Sequence, residues 1–223
     1  MTQPRPGSLR AGLFIVFEGL DGAGKTTQVR RLCERLRQNG YEVVPLKEPT
    51  DGPWGQKIRR LALHGRQHIS LETELAWFLE DRRQDVEQNI KPALARGDIV
   101  VLDRYYFSTI AYQGARGGNP DSIRQHNEAF APPPDLLFLL DIAPAQGLQR
   151  IQQQRLPDEF ERLEYLEHVA ALFAQMDFPY LQRIPATLGP ETIHCHIWLA
   201  VQAALAQRQP HGQQHASLKA PEL

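Results

Sequence analysis

Hydrophobic and polar positions fall into two alternating kinds of segment. LFIVF (13–17), DIVVLD (98–103) and LLFLLDI (136–142) are almost wholly apolar. Runs of that length with branched residues read as strands buried on both faces, as in a parallel sheet. YEVVPL (41–46) and TIHCHI (192–197) read as a second and a last strand, with a C-terminal helix after the latter. Between these runs the apolar spacing turns helical. Val29, Leu32, Cys33 and Leu36 form one stripe, closed by Gly40. Leu71, Leu75, Phe78, Leu79, Arg82, Val86 and Ile90 form a longer one, with Ser70 as its N-cap and Pro92 opening a separate or kinked last stretch. Shorter helices are predicted over 55–65, 144–154 and 165–175. Alternating strands and helices build right-handed βαβ units. The predicted class is therefore α/β: a mostly parallel five-stranded sheet between two helical layers, with ligands beyond the carboxyl ends of the strands. No internal repeat is present.

At 223 residues the chain can bury a full core. A single domain over 11–206 is predicted, with flexible ends at 1–10 and 207–223, where Pro, Gly and Gln accumulate. A net charge of -1 excludes a function resting on a broad basic surface, so no nucleic-acid partner is expected and any anion must be held locally. Cys33 and Cys195 lie far apart, which suits a reducing compartment rather than a disulfide scaffold. Cys33, on the first helical stripe, reads as a small buried hydrophobe. The first residues lack an apolar signal core, and no run reaches the roughly 18–20 apolar residues of a membrane span. A cytoplasmic protein with no membrane partner is expected.

Candidate chemistry begins at the first strand. Gly19-Leu20-Asp21-Gly22-Ala23-Gly24-Lys25-Thr26 fits G-x-x-x-x-G-K-[ST] between an apolar strand and a helical stripe. Backbone N–H groups of Gly19 through Thr27 would cradle phosphates at the helix N-terminus. Lys25 would reach the β- and γ-phosphates of ATP, and the Thr26 hydroxyl would ligate Mg²⁺. An N/T-K-x-D base-reading motif is missing, which excludes a switch GTPase. Asp103-Arg104 closes another apolar run, at the edge where such a sheet binds ligands; the alternative for the pair is a strand-end salt bridge. The Arg104 fork suits a phosphate. Asp103 would position Mg²⁺ or fix nearby arginines. Phe78 and Arg82, four apart, can look from one helical face into one pocket, although Phe78 also fits the core stripe with Leu75 and Leu79. His194-Cys195-His196, taken as a strand, cannot close on one ion, because alternate residues face opposite ways.

From Phe14 to Gln175 the sequence resembles the thymidylate kinase family of phosphate-loop nucleoside monophosphate kinases. The resemblance is carried by FIVFEGLDGAGKTTQ, the Glu48-Pro49 pair, the block TELAWFLEDRRQDVEQNIKPALARGDIVVLDRYYFSTIAYQG (73–114) and LLFLLDI. It implies phosphoryl transfer from Mg·ATP to thymidine monophosphate, a short lid at about 150–162 and a homodimer. It makes Arg104 the binder of the acceptor phosphate, Phe78 the ring stacked on thymine, and Arg82 a base or phosphate contact. Thr109, Tyr112 and Gln113 fall at positions near base and sugar, with Tyr112 crowding a ribose 2′-hydroxyl. Asp21 would accept a bond from the acceptor's 3′-hydroxyl.

Three positions depart from the family pattern. Lys47-Glu48-Pro49-Thr50 stands where Arg-Glu-Pro-Gly is usual, so a planar two-point phosphate grip is lost. Asp158-Glu159-Phe160-Glu161 replaces Asp-Arg-Phe-Glu in the lid, which makes Arg155 the candidate catalytic lid arginine, with Arg150 and Arg162 behind it. Glu80 adds negative charge ahead of Asp81-Arg82. These changes leave two alternatives open. One is a deoxynucleoside kinase using Glu48 as the base that takes a hydroxyl proton. The other is a nucleotide-binding regulator without turnover.

Overall fold

The computed structural model describes residues 9, 11–66, 68–153, 155 and 160–208. Among them five strands form one sheet: β1 (Leu13–Glu18), β2 (Val43–Lys47), β3 (Ile99–Asp103), β4 (Leu136–Asp141) and β5 (Leu181–Pro185). Their order is β2-β3-β1-β4-β5, and every neighbouring pair is parallel. The helices are α1 (Lys25–Gln38), α2 (Pro53–His64), α3 (Leu71–Asp85), α4 (Lys91–Ala95), α5 (Tyr106–Ala115), α6 (Pro120–Glu128), α7 (Pro144–Gln152), α8 (Leu163–Ala174) and α9 (Pro190–Arg208). The α/β class follows as predicted. The expected ends at 1–10 and 207–223 lie outside the described residues except for Leu9, Gln207 and Arg208. Leu9 is buried and donates its N–H to Gly97 O at 2.9 Å.

β1 is buried along its whole length, which is why its sequence is apolar at every position until Glu18. Asp135 pins it to the rest. Its N–H donates to Phe14 O at 2.8 Å, its Oδ2 accepts from Phe14 N at 2.8 Å, and its Oδ1 accepts from Arg208 Nη2 on α9 at 2.5 Å. Ser70 caps α3 as predicted, its side chain accepting from Thr73 N. α3 then passes into a π-helical turn (Val86–Ile90) before α4, which carries Pro92 in its first turn.

The last strand is not where the hydrophobic run at 192–197 placed it. Those residues belong to α9, and β5 is LQRIP. β5 lies at the sheet edge with mainly Ile184 buried, so its sequence carries little apolar signal. Ile193, Ile197, Val201 and Leu205 recur every four residues behind Pro190 and supply a helical stripe that the short window hid. His194 is therefore buried while Cys195 and His196 are exposed, and the strand argument about that triplet does not apply. Among the described residues no group of three or more His, Cys, Asp or Glu side chains could hold a metal ion. No helix among them is long and apolar enough to cross a membrane.

Cys33 sits on the buried stripe of α1, 3% exposed, and burial pushes its thiol up to about 11. The thiolate is the reactive form, so the raised value keeps Cys33 protonated through neutral pH. At pH 8, a disulfide reagent should titrate one thiol per native chain, the exposed Cys195, and two after unfolding in urea. Two thiols reacting rapidly in the native protein would contradict this packing.

Candidate active site

The loop from Gly19 to Gly24 turns out of β1 into α1. Gly19 and Gly22 hold φ of 134° and 79°, and a Cβ on either would come within 2.4 Å of a carbonyl, Leu140 O and Gly147 O respectively. Only glycine fits both demands. Leu20 and Ala23 are buried beneath the loop, and Thr26 and Thr27 lie exposed on the first turn of α1. The Lys25 ammonium, 5% exposed, donates to Gly19 O at 3.0 Å and Leu20 O at 2.8 Å. Burial, with repulsion from Arg104 added, pulls it down to about 8 against the attraction of Asp21, Asp103 and Glu18. The Thr26 hydroxyl donates to Asp103 Oδ2 at 2.7 Å, and Asp103 Oδ1 is buried with no hydrogen-bond partner among the described residues.

Arg104 follows β3 with φ of 73°, the one positive value outside glycine among the described residues. Its N–H is fixed by Phe17 O at 2.9 Å. The guanidinium donates to Asp21 Oδ1 at 2.6 Å and Ser108 Oγ at 2.9 Å, and lies 5.2 Å from the Tyr112 ring centroid. Burial would raise the Asp21 carboxyl, but Arg104 and Lys25 outweigh it and hold it well below the usual carboxylate range. Asp21, the odd acid in an anion-binding loop, thus bridges the phosphate loop to the arginine across from it.

That arginine faces a cavity of ≈ 390 Å³. Asp21, Lys47, Glu48, Phe78, Tyr112 and Gln113, all singled out in the sequence, also line it. Phe78 is half-buried and belongs to the cavity wall rather than to the core. Arg82 takes a different place. It is 1% exposed, behind the cavity wall, donating to Glu48 Oε2 from Nε at 2.8 Å and from Nη2 at 2.6 Å. Its remaining bonds go to Asn127 Oδ1 at 2.6 Å and to the buried Thr109 hydroxyl at 3.2 Å. Burial pushes the Glu48 carboxyl up, to about 8, against Arg82 and with help from Asp85 and Asp81. Gln113 donates Nε2 to Glu74 at 2.8 Å and keeps its Oε1 without a partner.

The lid segment is described in part; Asp158 and Glu159 lie outside the described residues. Arg155 grips the buried Glu161 with two bonds of 2.8 and 2.6 Å and lies near enough to lower Asp21 further. Arg150 on α7 bonds the phosphate loop itself, at Gly22 O, 3.2 Å.

Two contributors escaped the sequence reading. Glu18, 1% exposed at the end of β1, accepts from Tyr105 N at 2.8 Å, Ser108 N at 3.0 Å and Ser108 Oγ at 2.6 Å, and so anchors the turn that carries Arg104. An acid closing an apolar strand was the available signal. Arg59, beside Arg60 on α2, lines the cavity, held by Pro49 O at 2.9 Å, Thr50 O at 2.6 Å and Asp51 at 3.0 Å. Nothing local in the sequence marks it.

The arrangement puts a phosphate cradle and a cation-lined pocket side by side, as transfer between two phosphorylated ligands requires. Comparison with known proteins agrees. A family model described as thymidylate kinase matches residues 17–197. A protein of Xanthomonas campestris pv. campestris named thymidylate kinase is 46% identical over 205 residues, 92% of this chain and 89% of that protein. One of Akkermansia muciniphila, with the same name, is 45% identical over 201 residues, 90% of this chain and 95% of its own length. Both the match to the family model and the extent of these similarities establish that the chain belongs to the thymidylate kinase family.

Proposed function

We propose that this chain transfers the γ-phosphoryl group of ATP to thymidine monophosphate, giving thymidine diphosphate and ADP for thymidine triphosphate synthesis. The observation that carries this reading is the cavity in which Arg104, Arg59 and Lys47 supply positive charge and Phe78 an aromatic face, opening beside the phosphate loop through their shared Asp21. Cations there suit an acceptor phosphate, and the ring suits a stacked base.

ATP occupies the loop. Its β- and γ-phosphates take the Lys25 ammonium away from Gly19 O and Leu20 O and accept the loop N–H groups. The Thr26 hydroxyl and Asp103 carboxylate are hard oxygen donors, one carboxylate oxygen being buried and unpartnered, which fits Mg²⁺. Thr26 and Asp103 would hold the ion, which when bound neutralises charge on the transferring phosphates. Arg104 orients the acceptor phosphate, with Arg59 and Lys47 beside it, and Asp21 receives the sugar 3′-hydroxyl. An acceptor phosphate oxygen bonds to the γ-phosphorus as the bridging bond to ADP breaks, with the electron pair leaving on ADP. The nucleophile is already anionic, so no base is required, and Glu48 serves to fix Arg82, itself set against Thr109. Tyr112 walls the sugar and Gln113 the base. Arg155 in the lid at 150–162 steadies the transferring group, with catalysis arising from positioning and charge.

Family membership favours the monophosphate over a nucleoside acceptor, and the intact set of Lys25, Thr26, Asp103 and Arg104 disfavours a regulator without turnover. We assign 11–206 to one kinase domain acting in the cytoplasm as a homodimer, without a nucleic-acid or membrane partner. A groove of ≈ 520 Å³ between α3 and α6, lined by Leu71, Leu75, Leu79 and Ile123, offers an apolar surface for the second copy.

With Mg·ATP, the protein should convert thymidine monophosphate to the diphosphate and leave free thymidine unphosphorylated, as read by chromatography. Monophosphate formed from thymidine would transfer the assignment to the nucleoside kinase, and ATP bound without consumption would favour the regulator. Arg104→Ala should raise the KM for thymidine monophosphate roughly 10- to 100-fold, the range of a charge-assisted bond, and lower kcat. The dissociation constant for ATP should stay within about threefold. An unchanged response to the acceptor would remove Arg104 from its role.

A further inference from the structure

Most of the cavity wall is built on the sheet ends and on α2, α3 and α5, but one side comes from Phe160, which precedes α8. This ring is 8% exposed and meets Tyr112 edge-on, with centroids 6.5 Å apart. Over its other side lies Arg66, from the connection between α2 and α3. The guanidinium carbon is 3.5 Å from the Phe160 ring centroid and 5.0 Å from that of Tyr165. Nη1 donates to the Tyr165 hydroxyl at 3.2 Å, and that hydroxyl donates to Tyr112 O at 2.5 Å. Nε and Nη2 of Arg66 are buried with no hydrogen-bond partner among the described residues. Among the described residues this cation is compensated by aromatic faces and not by a carboxylate.

The connection bearing Arg66 is itself fixed. Ile69 N donates to Arg66 O at 3.1 Å, and Arg116 donates to Ile69 O at 2.7 Å. Arg116 also pairs with Glu74 on α3, which receives Gln113 from the cavity wall. Among the described residues, the side-chain partners of Arg66 are Phe160, which lines the cavity, and Tyr165, which bonds Tyr112 in its wall.

We propose that Arg66 is a positioning residue for the acceptor nucleotide: stacked on Phe160 and bonded to Tyr165, it fixes the ring that completes the acceptor cavity. The inference rests on reading that cavity as the thymidine monophosphate site. Its effect falls on the acceptor and not on ATP, because the clamp acts on Phe160 and, through Tyr165, on Tyr112, both in the cavity wall. A lysine at 66 would keep the charge but lose the planar group that stacks.

The test uses the full chain with Arg66→Ala, Arg66→Lys, Phe160→Leu and the double variant Arg66→Ala/Phe160→Leu. Initial rates against each substrate and thermal unfolding midpoints are read for all. Arg66→Ala should raise the KM for thymidine monophosphate roughly five- to thirtyfold, the span of a partly desolvated cation–π contact. The KM for ATP should stay within twofold and kcat within about threefold. Arg66→Lys should recover only part of the loss. Phe160→Leu should mimic Arg66→Ala, and the double variant should be no worse than the poorer single, since each breaks the stacking contact the two residues share. The proposal is overturned if the acceptor KM is unchanged, if both KM values rise together, if the two substitutions add, or if only the unfolding midpoint moves. Failure of the underlying reading is separate: the unsubstituted chain would then make no thymidine diphosphate.

Discussion

Everything in the site depends on the parallel register that sets three strand ends level. Phe17 on β1 and Lys47 on β2 both stand opposite Asp103 on β3. A one-residue slip would turn every side chain of a strand to the other face. Asp103 would then leave Thr26, and Arg104 would leave Asp21. The register is enforced by burial: β1 and β3 are apolar along almost their whole length and covered on both faces, so no alternative pairing keeps the same surface from water. Precision at the polar rim is thus a consequence of packing in the dry layer beneath it.

On that rim, two buried groupings set opposite charges against each other. Asp21 faces both Lys25 and Arg104, and Glu48 faces Arg82. Removing one partner of such a pair leaves the other desolvated, which is more damaging than the pair is stabilising. Glu18 has a different task. It accepts backbone donors at the start of α5, where a local cap would otherwise be needed, and so ties the helix carrying Thr109, Tyr112 and Gln113 to the end of β1. The loop, Arg104 and α5 are one bonded unit.

What the sequence disclosed follows from how far each signal reaches. The phosphate loop was legible because its glycines, lysine and threonine are adjacent and its strand–loop–helix context is local. Asp103-Arg104 was legible because an apolar run ends there. β5 was not, since an edge strand with one well-buried residue resembles a loop, while the stripe of α9 spans more turns than a short window samples. Phe78 and Arg82 share a helix face, yet only Phe78 reaches the cavity. The inner surface of α3 is polar, with Glu74, Asp81, Arg82 and Asp85 buried, so the apolar stripe legible along this helix did not mark its buried face. Arg59 and Arg66 are set by contacts with segments distant in sequence, to which a single chain read end to end is blind.

Arg104 combines its role with a backbone conformation that side chains other than glycine resist. Glycine would relax the turn while erasing the guanidinium. On the role proposed for Arg104, selection for a sturdier fold and selection for turnover pull in opposite directions at this one position, and stabilising this protein by replacing residues that look ill-suited to their local geometry would begin by disabling it.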